Sequence, residues 1–326
     1  MAFGCGHTCW RHGIMCHANT SRMTVLQPHQ RDQRSRVHVS HRENHREPQE
    51  GTTCDHYQFI HRRNLLVMMA SFVPAAQYAK QAHSMPGLRY MTDDEYRIVM
   101  EAMNRCIPPI KCPLMLRLVF HDSATYRVST NDGGPNGSIQ FETDRPENFG
   151  LKRGVNVIRQ LQEEVKGTPL SFADLIALSG AYAVYRTKGP DMIRKIRIGR
   201  KDATAPDPEG RMPEETFSAP EQLAAFESMG FGPTDMVALL GSHTLGNKGF
   251  GEPLLFDNTY YTSLLKKPWE NSKDPMASMI GLQSDRVLPD DATLRPIIQR
   301  FADDNDAFLH NFTQSYIHLT ELGYSM

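Results

Sequence analysis

From residue 92 onward, apolar positions recur at helical spacing and almost nowhere alternate with period two, so a mainly α fold is expected. Thr92-Asp-Asp-Glu95 sets a hydroxyl and a carboxylate three residues apart, a capping box that predicts a helix to about residue 105. Pro108, Pro109 and Pro113 punctuate the chain before a second apolar helix over 113–122. Asn131 to Gly137 reads as a turn-rich loop. Helices are predicted again over 151–165 and, from a second capping box at Ser171-Phe-Ala-Asp174, to residue 183. The stretch 199–220 reads as a proline-rich connection. Beyond it helices are expected at 233–246, at 258–266, and in two pieces over 293–322. The 113–122 helix is so rich in leucine and valine that it is expected to be buried nearly all round. No internal repeat is visible.

Residues 1–84 break this pattern. They hold ten of the fourteen histidines, are rich in arginine and poor in acids, and have almost no amphipathic period. The stretch from Gln30 to Glu50 has too few apolar residues to bury a core, so a disordered extension is expected, followed by a folded domain over 85–326. Arginine-rich, acid-poor composition fits a transit segment and makes the chloroplast the expected destination. A start at Met68 or Met69, or an extension that is not part of the protein, leaves the cytoplasm as the alternative.

Composition narrows the function. With 326 residues, a net charge of −1 and no basic block in the folded part, a nucleic-acid partner is not expected. No apolar run approaches the roughly 20 residues that span a bilayer. Four of the six cysteines lie in the N-terminal segment, and Cys106 and Cys112 alone make no disulfide framework, which points to a reducing compartment. Cys5, His7, Cys9, Cys16 and His17 imitate a zinc set but lack paired CxxC spacing, and no zinc is expected.

The chemistry concentrates in two places. On a helix Arg117, Phe120 and His121 share one face, so a permanent cation, a flat ring and an imidazole crowd one spot among Leu114, Leu116, Leu118 and Val119. A buried arginine beside a buried histidine is costly without a purpose. The second place is Asp235-Met-Val-Ala-Leu-Leu-Gly-Ser-His243-Thr-Leu-Gly246, where the small Gly241, Ser242 and Gly246 leave room for something broad and flat against the imidazole. Alone, His243 is more simply a satisfied core histidine. Paired with the Arg117/His121 helix, it suits one face of a haem, with His121 on the other. His310 and His318 have no acidic or arginine constellation and are expected at the surface.

Gly241-Ser-His-Thr-Leu-Gly246 and Leu116-Arg-Leu-Val-Phe-His-Asp122 resemble the proximal and distal motifs of the plant-type haem peroxidases. The resemblance runs from about Leu88 to Gly323. It includes Gly133-Gly-Pro-Asn-Gly137, Pro146-Glu-Asn-Phe-Gly-Leu151, Gly199-Arg-Lys-Asp202, Pro208-Glu-Gly-Arg-Met-Pro213, Phe256-Asp-Asn258 and Ser284-Asp285. Within that superfamily the chain is most like the class I ascorbate peroxidases, in particular the divergent plant branch called ascorbate peroxidase 6. The resemblance implies haem b between a distal half, about 85–165, and a proximal half, about 166–326. It also implies reduction of hydrogen peroxide with one-electron oxidation of a small donor, ascorbate or phenolic, in the response to oxidative stress. A haem-binding or haemless relative without turnover is the alternative. The oligomeric state is left open.

By the same resemblance His121 is the acid–base residue, Asn148 orients it, Arg117 stabilises developing negative charge, and Phe120 is the distal ring. His243 is the axial iron ligand and Asp285 the carboxylate that accepts its second N–H. Thr244 and Asp257 match a proximal site for a potassium or calcium ion. Two departures follow. Phe120 stands where ascorbate peroxidases carry tryptophan. Gly249 or Phe250 stands where they carry a proximal tryptophan, since Trp10 and Trp269 fall elsewhere. The short loop 247–252 offers only Lys248, with Lys111 offset, to grip ascorbate.

Overall fold

The computed structural model describes residues 87–270 and 273–324. The N-terminal segment, with its cysteine–histidine group and its transit-like composition, lies outside the described residues. Ten helices appear among the described residues: α1 Asp93–Cys106, α2 Cys112–Ser123, α3 Lys152–Glu164, α4 Phe172–Arg186, α5 Ala219–Ser228, α6 Pro233–Leu240, α7 Thr259–Lys266, α8 Gln283–Arg286, α9 Arg295–Asp303 and α10 Asn305–Leu319. Backbone pairing outside helices is limited, among the described residues, to isolated bridges such as Arg89 with Ile198. The mainly α expectation holds.

Both predicted capping boxes form. Thr92 Oγ1 accepts from Glu95 N–H while Glu95 accepts from Thr92 N–H, and Ser171 and Asp174 repeat the exchange. Asp174 does more than cap. Its carboxylate also accepts from the backbone N–H groups of Gly199 and Arg200 and pairs at 2.8 Å with the Arg200 guanidinium, both side chains being fully buried. Arg200 in turn donates to the carbonyl of Thr320, just past the end of α10. Asp202 accepts from the first N–H groups of α4. One buried ion pair therefore joins the start of α4, the 199–202 turn and the end of α10. Burying both charges is tolerable because hydrogen bonds satisfy each of them.

Burial does not fall where the leucine-rich helix suggested. The helix enclosed on all sides is α4, buried from Phe172 to Val184. α2 packs along it but keeps Arg117 exposed and Phe120, His121 and Leu114 only partly covered. Those residues line a cavity. α3 also packs on α4, while α6, α7, α9 and α10 pack on one another.

Two helices were not expected. α5 starts inside the end of the 199–220 stretch that reads as proline-rich connection: Pro220 sits in its first turn, where a missing N–H costs nothing, and Glu221 accepts from Ser218 N–H at 2.7 Å. α8 is a single turn too short to show periodicity. The helix expected over 233–246 ends at Leu240 and tightens into a 3₁₀ turn, Gly241–Thr244. His318 is corrected too: it is half-buried, with its ring edge-on to Phe231 at 4.8 Å, and burial lowers its pKa. His310 is exposed, as expected. Cys106 and Cys112 are buried free thiols. Among the described residues no helix is long and apolar enough to cross a membrane.

The crossing of α2, α4 and α10 depends on Gly180. A Cβ there would lie 2.3 Å from the Tyr316 hydroxyl and 2.6 Å from Val119 Cγ2. Because Tyr316 is held by its bond to the Ala177 carbonyl, Gly180→Ala is expected to cost about 1–3 kcal/mol in urea unfolding, despite the better helix propensity of alanine.

Candidate active site

A cavity of about 1300 Å³ opens between α2 and the α6–His243 segment. Arg117, Phe120 and His121 line it from one side, and Leu239, Leu240, Ser242 and His243 from the other. The two histidines singled out in the sequence thus share one chamber.

On the α2 side, one short turn does most of the positioning. Pro146–Asn148 forms a 3₁₀ turn, opened by a proline whose fixed φ suits its first position. The carbonyls of Glu147 and Phe149 accept from the Arg117 guanidinium at 2.8 and 2.9 Å, and Asn148 between them presents Oδ1 to His121 Nδ1 at 2.8 Å. Asn148 Nδ2 donates to the Glu142 carbonyl, which fixes which end of the amide faces the histidine. Arg117 Nε also lies 3.2 Å from His121 Nε2. Guanidinium only donates, so Nε2 must hold a lone pair and Nδ1 the proton. Burial first, and then the Arg117 charge, push the His121 pKa down from its ordinary value to about 4, against a smaller opposing effect of Asn148. His121 is therefore a neutral base at neutral pH.

His243 is held from the opposite direction. Its Nδ1 lies 2.8 Å from Asp285 Oδ1. Burial alone would raise the Asp285 pKa, but the His243 charge and hydrogen bond, the Leu282 N–H and the Tyr260 hydroxyl outweigh it and hold the carboxyl below its usual value. An ionised carboxylate only accepts, so His243 Nδ1 carries a proton, and in the neutral imidazole it is Nε2 that keeps the lone pair. Asp285 Oδ2 also accepts from Leu282 N–H, so the capping role is real and coexists with the contact to histidine.

The small residues around His243 need a different explanation from the one the sequence suggested. A Cβ on Gly241 would lie 2.2 Å from the Tyr261 hydroxyl and 2.5 Å from Phe308. Gly241 is small so that α7 and α10 can approach it, and only Ser242 and Gly246 line the cavity. Phe120 stacks on Phe226 of α5, with centroids 5.9 Å apart and planes at 27°. Thr244 Oγ1 lies 3.2 Å from Asp257 Oδ1, which also accepts from Thr259 N–H at the start of α7. Among the described residues no group of three or more His, Cys, Asp or Glu side chains is placed to hold a metal ion.

Phe250, one of two residues offered for the place of the proximal tryptophan, is buried with its ring edge-on to Tyr260 at 4.8 Å. It has no N–H to give Asp285. Tyr260 supplies a donor instead, its hydroxyl lying 2.9 Å from Asp285 Oδ1. Sequence reasoning singles out neither Tyr260 nor Phe226. The only hint was that a tyrosine buried on an amphipathic helix needs a partner for its hydroxyl.

A family model for the peroxidases matches residues 94–304. This chain belongs to the peroxidase family. It is 42% identical over 229 residues to "Putative L-ascorbate peroxidase 6" of Arabidopsis thaliana, an overlap that covers 70% of this chain and 69% of that protein. It is 36% identical over 225 residues to "L-ascorbate peroxidase 3" of the same plant, covering 65% of this chain and 75% of that one. With "L-ascorbate peroxidase 2, cytosolic" of Oryza sativa subsp. japonica it shares 35% identity over 226 residues, covering 65% of this chain and 86% of the relative. The chain is thus an enzyme of the haem peroxidase type.

Haem fits the residues present. The unpartnered Nε2 of His243 is the donor a haem iron takes, its other nitrogen is held by a carboxylate, and the chamber beside it is large enough for a broad planar group.

Proposed function

We propose that residues 85–326 form a haem b peroxidase domain that reduces hydrogen peroxide and oxidises a small donor in one-electron steps. In it, the α2 side serves as the distal half and the His243 segment as the proximal half. The supporting observation is that two histidines line one cavity, each with an oxygen acceptor on Nδ1 that leaves Nε2 as the basic nitrogen. His243 would hold the haem iron, which when bound would supply the redox chemistry of peroxide reduction. Asp285 orients the His243 ring and strengthens it as a ligand.

The remaining steps belong to the distal residues. His121 Nε2 takes a proton from one peroxide oxygen and returns it to the other, which leaves as water. Asn148 keeps the proton on Nδ1, so Nε2 is the basic nitrogen and acts once its lone pair leaves Arg117 Nε. Arg117 places a fixed positive charge where negative charge develops on the departing oxygen, a task its rigid fork performs better than lysine would. Phe120, stacked on Phe226, walls the distal side. Thr244 and Asp257 bring two hard oxygens together, and a potassium or calcium ion there is part of the same proposal.

The donor follows from the rim. Lys248 is the one lysine lining the cavity. Arg117, Arg145 and Arg153 line it too, but Arg117 is bound to the Glu147 and Phe149 carbonyls and Arg145 to Glu142, and Asp144, Glu147, Glu209, Glu214 and Glu215 outnumber the rest. Ile110, Phe141 and Phe149 on the same rim are exposed and apolar. These features favour a neutral aromatic donor over anionic ascorbate. For location, arginine-rich composition supports import of residues 1–84 into the chloroplast, with the cytoplasm as the alternative.

The decisive test is to load the protein with haemin and record the absorption spectrum before and after peroxide. A Soret band that shifts with peroxide is expected, and no band, or an unmoved one, would refute the assignment. Arg117→Leu and His121→Leu should each slow the reaction with peroxide by about 10²–10³-fold in stopped flow, with the Soret band kept. Because the neutral imidazole is the active form, that rate should be level from neutral pH downward and fall only as pH drops through about 4. A fall centred on the ordinary histidine value would contradict the buried environment of His121. Steady-state turnover should be higher with a simple phenol than with ascorbate at equal concentration.

A further inference from the structure

Asp285 Oδ1 serves two donors at once. It accepts from His243 Nδ1 at 2.8 Å and from the Tyr260 hydroxyl at 2.9 Å, while Oδ2 is occupied by the Leu282 N–H. Tyr260 is fully buried. Its ring stands edge-on to His243 at 6.0 Å and is gripped between Phe250 at 4.8 Å and Tyr261 at 5.0 Å, so the hydroxyl is aimed rather than free to wander.

A carboxylate oxygen that shares its negative charge between two donors pulls less strongly on each. The pull of that oxygen on the His243 Nδ1 proton governs how strongly Nε2 donates electrons to a metal. A buried phenol on the same oxygen therefore weakens the donation. In a low-dielectric surrounding the effect is not screened by water.

We propose that Tyr260 is a positioning residue that moderates the electron-donating strength of His243 through Asp285 and thereby raises the reduction potential of the bound haem. This rests on His243 being the axial ligand. Phe250, buried against the Tyr260 ring, has no donor to offer, and the Tyr260 hydroxyl supplies one to Asp285.

The fold contains its own control. Tyr261 is equally buried and adjacent, but its hydroxyl donates to the Val237 carbonyl and not to Asp285. Tyr260→Phe and Tyr261→Phe should strand comparable packing, yet only the first removes a hydrogen bond from the carboxylate.

Both variants and the parent protein would be loaded with haemin. The midpoint potential would be measured by spectroelectrochemistry, and the iron–histidine stretch of the ferrous form by resonance Raman. The expected result is a lower potential and a higher-frequency stretch for Tyr260→Phe, with Tyr261→Phe matching the parent. Equal potentials in all three, or equal shifts in both variants, would overturn the inference and leave Tyr260 a packing residue. If Tyr260→Phe does not fold, site-specific replacement of Tyr260 by 3,5-difluorotyrosine keeps the ring and strengthens the donor. The potential should then rise, and an unchanged value would overturn the inference. A parent protein with no Soret band would remove the haem assignment together with this inference. A normal Soret band with an unmoved potential would remove this inference alone.

Discussion

The structure around the cavity depends on one constraint, a permanent guanidinium charge held beside an imidazole. Arg117 cannot shed its proton, its charge adds to burial in keeping His121 neutral, and the guanidinium N–H groups on the protein side call for acceptors. The Pro146–Asn148 turn meets that demand. It offers two backbone carbonyls to Arg117 and one side-chain carbonyl to His121 from three consecutive residues, Glu147 to Phe149. A single turn thereby settles the position of the cation, the ring orientation of the histidine and its tautomer.

The opposite wall uses the inverse device. There a buried anion, Asp285, orients the histidine, and its charge is spread over His243, Tyr260 and a backbone N–H. Burial and then a neighbouring cation lower the basicity of one imidazole, while an anion raises the donor strength of the other. The two histidines are chemically alike and are made different by their neighbours. The peroxidase family relation supplies the reaction, and this asymmetry says how the present residues divide the work.

Much of this was legible along the chain because the relevant physics is local. Thr92, Glu95, Ser171 and Asp174 announce their helices by spacing, and Arg117, Phe120 and His121 share a face on any helix. Where expectation failed, the deciding contact was distant in sequence. His318 is half-buried because Phe231 reaches it, and Gly241 is small because Tyr261 and Phe308 need its space rather than because a ligand does. α5 was hidden by a proline that reads as a break but sits where helices begin. Gly249 or Phe250 stands where the proximal tryptophan is expected, and only the fold shows that Tyr260 donates to Asp285.

The sequence by itself determined the helical class, the caps and the residues that bear the chemistry, since helical periodicity and side-chain acidity are properties of short stretches. Only the tertiary structure decided which atoms carry the protons. That choice depends on acceptors 27 residues away for His121 and 42 residues away for His243, and on burial that no local pattern encodes. It also decided that Asp285 answers to a tyrosine as well as a histidine, because sharing one oxygen requires three segments of the chain to meet at a single buried point.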